Sequence, residues 1–262
     1  VKQKEQVLYI GGALILLAVL YFGFDIYPSS KKALETSRAL TSQAFDLSTS
    51  LPEAKKGLEA KDLQYLETLE AQLQHAPDDS SKAAILKQLS GHWFSLKNPL
   101  VAGLYAREVA ELENSAMGWS ITGTTFAAGL QMELEEKQKR FVRDQAIEAF
   151  EKAISLEPEV IEHRVNQALC YIELPEPGEP MKGIQMLSGL ATKYPDSPVP
   201  PFQLARLAVR TGQYDRAKIR IEQALVLAPE DQRIACLGQE IYMALNMPAE
   251  AEKLSGICAG KK

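Results

Sequence analysis

At 262 residues, with 46% hydrophobic and 24% charged side chains, the chain has room for one or two globular domains or one extended solenoid. Its 29 Lys plus Arg against 34 Asp plus Glu argue against a nucleic-acid partner, because a phosphate-backbone binder gathers net positive charge. Three cysteines, Cys170, Cys236 and Cys258, stand far apart without a CxxC pair, which removes the usual zinc and dithiol motifs. Each reads as a small apolar core residue, and the odd number argues against a fully disulfide-bonded extracellular module.

Residues 7–24, VLYIGGALILLAVLYFGF, carry no charge. At ~1.5 Å rise per residue they span ~27 Å, close to the hydrocarbon thickness of a bilayer. Tyr9, Tyr21, Phe22, Phe24 and Tyr27 gather toward the ends, as aromatic belts do. The stretch therefore reads as an uncleaved membrane-spanning helix. A cleaved signal peptide is the competing reading, although the run is long for one and no small-x-small site follows Tyr21. A buried core helix is the other, although it would carry a polar stripe. Lys2 and Lys4 on one side and Lys31, Lys32 and Arg38 on the other leave the orientation open.

Beyond Pro28 a helical pattern resumes at Ala33 and runs toward Leu47, and Leu51 and Pro52 interrupt it. A charged helix with Leu63, Leu66, Leu69 and Leu73 on one side follows and ends at His75 to Asp79. From there one grammar recurs. Leu86, Leu89, Ser90 and Trp93 share a helix face, Asn98 and Pro99 turn the chain, and Ala102, Ala106 and Val109 return it. A second unit opens with Trp119, Thr122, Gly123 and Phe126 and returns through Ala146, Phe150 and Ala153 to Pro158. The third carries Asn166, Ala168 and Tyr171, an extended turn LPEPGEPMKG, then Leu187, Leu190 and Pro195. The fourth, residues 198–231, sets Leu204, Ala205 and Ala208 against Ala217, Ile221 and Ala224 around a turn at Gly212. A fifth, degenerate unit has Tyr242, Asn246, Ala251 and Cys258.

From Gly183 to Ala217 and from Ala217 to Ala251 the spacing is 34 residues, whereas Ala102 to Ala146 is 44 and Ala146 to Gly183 is 37. Two insertions account for the difference. The period and residues resemble the tetratricopeptide repeat family, most closely in FVRDQAIEAFEKAISLEP and GQYDRAKIRIEQALVLAP. Thr122 and Ser255 depart from the family's Leu and Phe. Small residues at the crossings let helices approach to about 8–10 Å, and large ones fill the grooves beside them. The expected packing residues are Trp93, Ala102, Trp119, Gly123, Ala146, Phe150, Ala153, Ala217, Ile221 and Ala224. Replacing Ala217 or Ala153 with Leu is expected to overpack the array by about 1–3 kcal/mol.

No reactive constellation emerges. Gly178 to Gly183 has the opening spacing of a P-loop, but Ile184 and Gln185 stand where Lys and Ser or Thr are required, and the segment reads as a flexible insertion. His75, His92 and His163 are isolated, and there is no GxSxG elbow. No catalysis, cofactor, metal or small-molecule substrate is expected. The resemblance implies instead that the first helix of each pair lines a concave groove, with Lys87, Asn166, Gln203, Arg206, Arg210 and Arg233 facing a protein or peptide partner. Some members clamp a terminal carboxylate with Lys, Asn, Asn, Lys and Arg. Lys87 fills the first place, but Gly91 stands at the next Asn and the rest is not met. Arg206 and Arg210, one turn apart, favour an acidic peptide.

The expected architecture is all-α, a tetratricopeptide-type hairpin solenoid at 80–262, preceded by lead-in helices at 28–79 and a tail with one transmembrane helix at 1–27. The expected function is a membrane-anchored scaffold that recruits a protein partner, as a periplasmic chaperone or assembly factor at a bacterial inner membrane. A structural accessory subunit of a larger membrane complex and a receptor facing the cytoplasm are the alternatives.

Overall fold

The computed structural model describes residues 45–260. The apolar stretch at 7–24 and its flanks lie outside them, and no helix among the described residues is long and apolar enough to cross a membrane. The described residues form twelve α-helices and no strand, and from Leu47 onward they make one compact unit. Two helices lead in: α1 (Leu47–Ala54) and α2 (Ala60–Gln74). Five antiparallel hairpins follow. They are α3 (Asp79–Ser95) with α4 (Pro99–Glu113), α5 (Ala116–Ala128) with α6 (Glu136–Leu156), α7 (Ile161–Glu173) with α8 (Lys182–Lys193), α9 (Val199–Arg210) with α10 (Tyr214–Leu227), and α11 (Gln232–Ala244) with α12 (Pro248–Cys258).

Polar caps set where these helices begin. The Asp78 carboxylate accepts from the Ser81 amide at 2.7 Å, Asn98 from Val101 at 3.1 Å, Ser115 from Gly118 at 3.0 Å and Asp231 from Arg233 at 2.9 Å. Each satisfies a first-turn N–H that has no partner within its helix. A single turn closes three of the hairpins. Lys97, Gly212 and Asn246 all take positive φ, at 58°, 70° and 56°. The amides that follow, of Asn98, Gln213 and Met247, donate back to Trp93, Ala208 and Tyr242 at 3.0, 2.8 and 2.8 Å. These are Schellman ends, and the residue that completes each also opens the returning helix. The repeat is thus written in the backbone as well as in the side chains.

All ten packing positions are buried, with Ala102, Ala146, Ala153, Ala217, Ile221 and Ala224 fully so. At Gly123 an added Cβ would lie 2.6 Å from the Phe150 ring, and at Gly103 2.4 Å from Phe126. At Gly183 it would meet the Ala168 carbonyl oxygen at 2.5 Å, so α8 touches the backbone of α7. The cores join successive hairpins. Ile161, Val165, Ala168, Leu187, Leu190 and Leu204 come from α7, α8 and α9, and Ala205, Ala217, Ile221, Ala224, Ile234 and Ile241 from α9, α10 and α11. Neither of these cores closes within one hairpin, which is why the array needs neighbours.

Three sequence expectations change. Pro52 lies inside α1 rather than breaking it. The helix has only eight residues, so the missing N–H removes one bond, and the Lys55 amide still closes on Leu51 at 2.9 Å. The insertion after α7 is pinned rather than loose. Arg143 donates to the Leu174 carbonyl at 3.3 Å, Lys182 pairs with buried Glu176 at 3.0 Å, and its ammonium sits 4.1 Å from the centre of the Tyr171 ring. Finally, Cys236 and Cys258 are not separate core thiols but a disulfide, with their Cα atoms 4.7 Å apart. An antiparallel hairpin sets the start of α11 against the end of α12, which brings two cysteines 22 residues apart together.

Candidate partner-binding groove

The first helices α3, α5, α7, α9 and α11 supply one lined surface. Its C-terminal half is a cavity of about 590 Å³ to which α5 gives Thr124, α7 gives Asn166, Leu169 and Glu173, α9 gives Gln203, Arg206 and Arg210, and α11 gives Leu237. Its N-terminal half, about 480 Å³, is lined by Lys87 and Phe94 of α3, Val109 and Glu113 of α4, and Met117 and Ile121 of α5. Thr124 lines both, so the two cavities adjoin at that residue.

Four of the six residues proposed from sequence, Asn166, Gln203, Arg206 and Arg210, meet in the C-terminal cavity. Arg210 is paired with Glu173 across the α7–α9 step. Among the described residues Arg206 has only the neutral Gln203 carbonyl, at 3.0 Å on its own helix. Lys87 belongs to the other half, where its ammonium is 2.6 Å from Glu113. Arg233 lines neither cavity. It folds back on the first turn of α11, 2.7 Å from Asp231, and its hydrogen bond holds the Asp231 carboxyl below the usual range. The reason is local: Asp231 is the cap of α11 and lies two residues away.

Sequence reading missed the apolar part of this surface. Phe94, Met117 and Ile121 are 46%, 69% and 52% exposed. The available signal was spacing. Met117 and Ile121 are four apart, on a different face from Trp119, Thr122, Gly123 and Phe126, which are buried. The Cys170 thiol also reaches the C-terminal cavity, but burial pushes its pKa up to about 12, so the nucleophilic thiolate is suppressed. Among the described residues no cluster of His, Cys, Asp and Glu could hold a metal.

Residues 143–160 match the tetratricopeptide repeat. That segment runs from the second half of α6 to the threshold of α7. No curated protein matches the chain in sequence. Among solved structures, a crystal structure of MamA overlays 68% of this chain and 91% of its own, with 15% identity and a TM-score of 0.40. A second MamA structure overlays 66% of this chain and 94% of its own, at 15% and 0.41. Yeast Tom70 covers 93% of this chain and 73% of its own, at 16% and 0.34. The family match thus places one tetratricopeptide-type segment on α6 and the turn into α7.

Proposed function

We propose that this chain is a membrane-tethered scaffold that holds a segment of another protein in the groove formed by its first helices, on the oxidising side of the membrane. The observation that carries the reading is the groove itself. Its two adjoining cavities draw their lining from all five hairpins, with exposed apolar side chains at one end and arginines at the other. Exposed apolar patches of this kind mark interaction sites. Tethering rests on the uncharged run at 7–24. The Cys236–Cys258 disulfide favours the oxidising face, the periplasm in a bacterium, because cytosolic reductants keep such pairs open. An assembly factor or chaperone that visits its partner fits this design.

A photocrosslinker placed at Arg206 in the membrane-bound chain tests the reading against one at Val226, which is 82% exposed on the returning helix α10. The reading expects a defined protein adduct from Arg206 and none from Val226. Adducts from Val226 alone would move the contact surface to the outer helices. Alkylation before and after reduction tests the compartment: Cys236 and Cys258 should react only after reduction, and free thiols in freshly trapped cells would contradict it.

A further inference from the structure

The two halves of the groove differ in what they leave for a ligand to satisfy. In the N-terminal half the polar groups are already used. Thr124 and Thr125 donate to the Ile121 carbonyl at 2.9 and 2.7 Å, Ser90 donates to Ala102 at 2.9 Å, and Lys87 is bound to Glu113. The large apolar side chains left open to solvent there are Phe94, Met117 and Ile121. Buried there, an apolar side chain gains area and strands no donor, whereas a charged one would lose its water without a counter-charge.

The C-terminal half is the reverse. Its lining carries two arginines and one carboxylate, a local positive excess on a chain whose net charge is −5. Glu173 answers Arg210, while Arg206 has no carboxylate among its partners. The Asn166 side-chain amide has no hydrogen-bond partner among the described residues and lines the same cavity. A carboxylate is the group that satisfies both, since guanidinium and amide N–H groups donate to it with charge assistance.

We infer that the groove is bipartite and selects a partner segment in which a cluster of aliphatic or aromatic side chains, seated on Phe94, Met117 and Ile121, is followed by Asp or Glu residues that reach Arg206 and Asn166. The inference rests on the groove being the binding surface and adds the chemistry of what it binds. Met117 is the adaptable element, because an unbranched thioether moulds to differing apolar shapes. Arg206 sets the register, because its charge is answered only when the acidic part of the segment lies over α9.

The test is a peptide-display selection on the full-length chain in detergent micelles, followed by fluorescence anisotropy with the most enriched peptides. Two exposed-site variants with helicity checked by circular dichroism, Met117→Glu/Ile121→Glu and Arg206→Glu/Arg210→Glu, are run beside it. Enriched peptides are expected to carry an apolar cluster and two or more acidic residues. Each variant should weaken binding at least tenfold, and Arg206→Glu/Arg210→Glu should enrich basic peptides in a fresh selection. Wild-type binding should also weaken with salt. If the selected peptides lack acidic residues but Met117→Glu/Ile121→Glu still abolishes their binding, the bipartite inference fails and the groove stands. If binding responds to neither variant, or nothing is enriched, the groove reading fails as well.

Discussion

The hairpin α5–α6 and the hairpin α11–α12 use the same topology but are held by different means. The returning helix α6 buries Phe141, Val142, Ala146, Ile147, Ala149, Phe150 and Ala153, and its Phe150 ring fills the space that Gly123 leaves open. The returning helix α12 buries only Ala251. It is fastened by the Cys236–Cys258 bond and by Gln232, whose amide donates to the Cys258 carbonyl at 2.9 Å. A hairpin with partners on both sides gains enough area from packing. One packed on a single side among the described residues substitutes a covalent link for the area it lacks.

Breaking each hairpin at its own support sharpens this contrast. Phe150→Ala should cost the most, about 3–5 kcal/mol, because it removes a fully buried ring whose neighbours cannot collapse across a helix crossing. Urea unfolding of the whole array reads it. Cys236→Ser/Cys258→Ser should cost about 3 kcal/mol, and locally. Amide exchange should accelerate across α12 while α5 and α6 keep their protection, since solenoid units are coupled to their neighbours only. Equal acceleration in both hairpins would mean that the difference drawn here is not real.

Smaller changes probe the turns. Lys97 occupies the left-handed position that Gly212 fills in a later hairpin, at about 1–2 kcal/mol for a residue with a Cβ. Lys97→Gly should therefore raise the melting temperature, and Gly212→Ala should lower it. Smallest is the pH effect at α11. The Asp231 carboxyl is held below its ordinary value by its hydrogen bond with Arg233 and by the backbone amides it caps. Its contribution is present above that value and lost as pH falls through the lowered one. Asp231→Asn should accordingly loosen α11 at neutral pH and make little difference in strong acid, as amide exchange on α11 would show.

Much of this architecture was legible because a 34-residue spacing cannot be kept by accident of composition. Gly212, Asn98 with Pro99, and the alanines at 102, 146, 153, 217 and 224 each announce a turn or a crossing, and each lies where its chemistry requires. The disulfide was not legible from cysteine spacing alone. It becomes so once α11 and α12 are known to run antiparallel, since Cys236 and Cys258 lie at nearly equal distances from the turn at Asn246. The groove was half legible. Charge at helical spacing marked Arg206 and Arg210, whereas the only mark on Met117 and Ile121 was their place on the face opposite Trp119, Thr122, Gly123 and Phe126. Arg233 shows the opposite failure, because a helix cap two residues away engages a side chain that register alone directed at the groove.

The most direct measurement is amide and side-chain footprinting of the full-length chain, alone and with the partner that co-purifies in mild detergent. The account predicts protection along α3, α5, α7 and α9, including Phe94, Met117 and Ile121, with α10 unchanged. Protection confined to the outer surface around Thr192, Gln223 and Val226, with the groove still open, would contradict it.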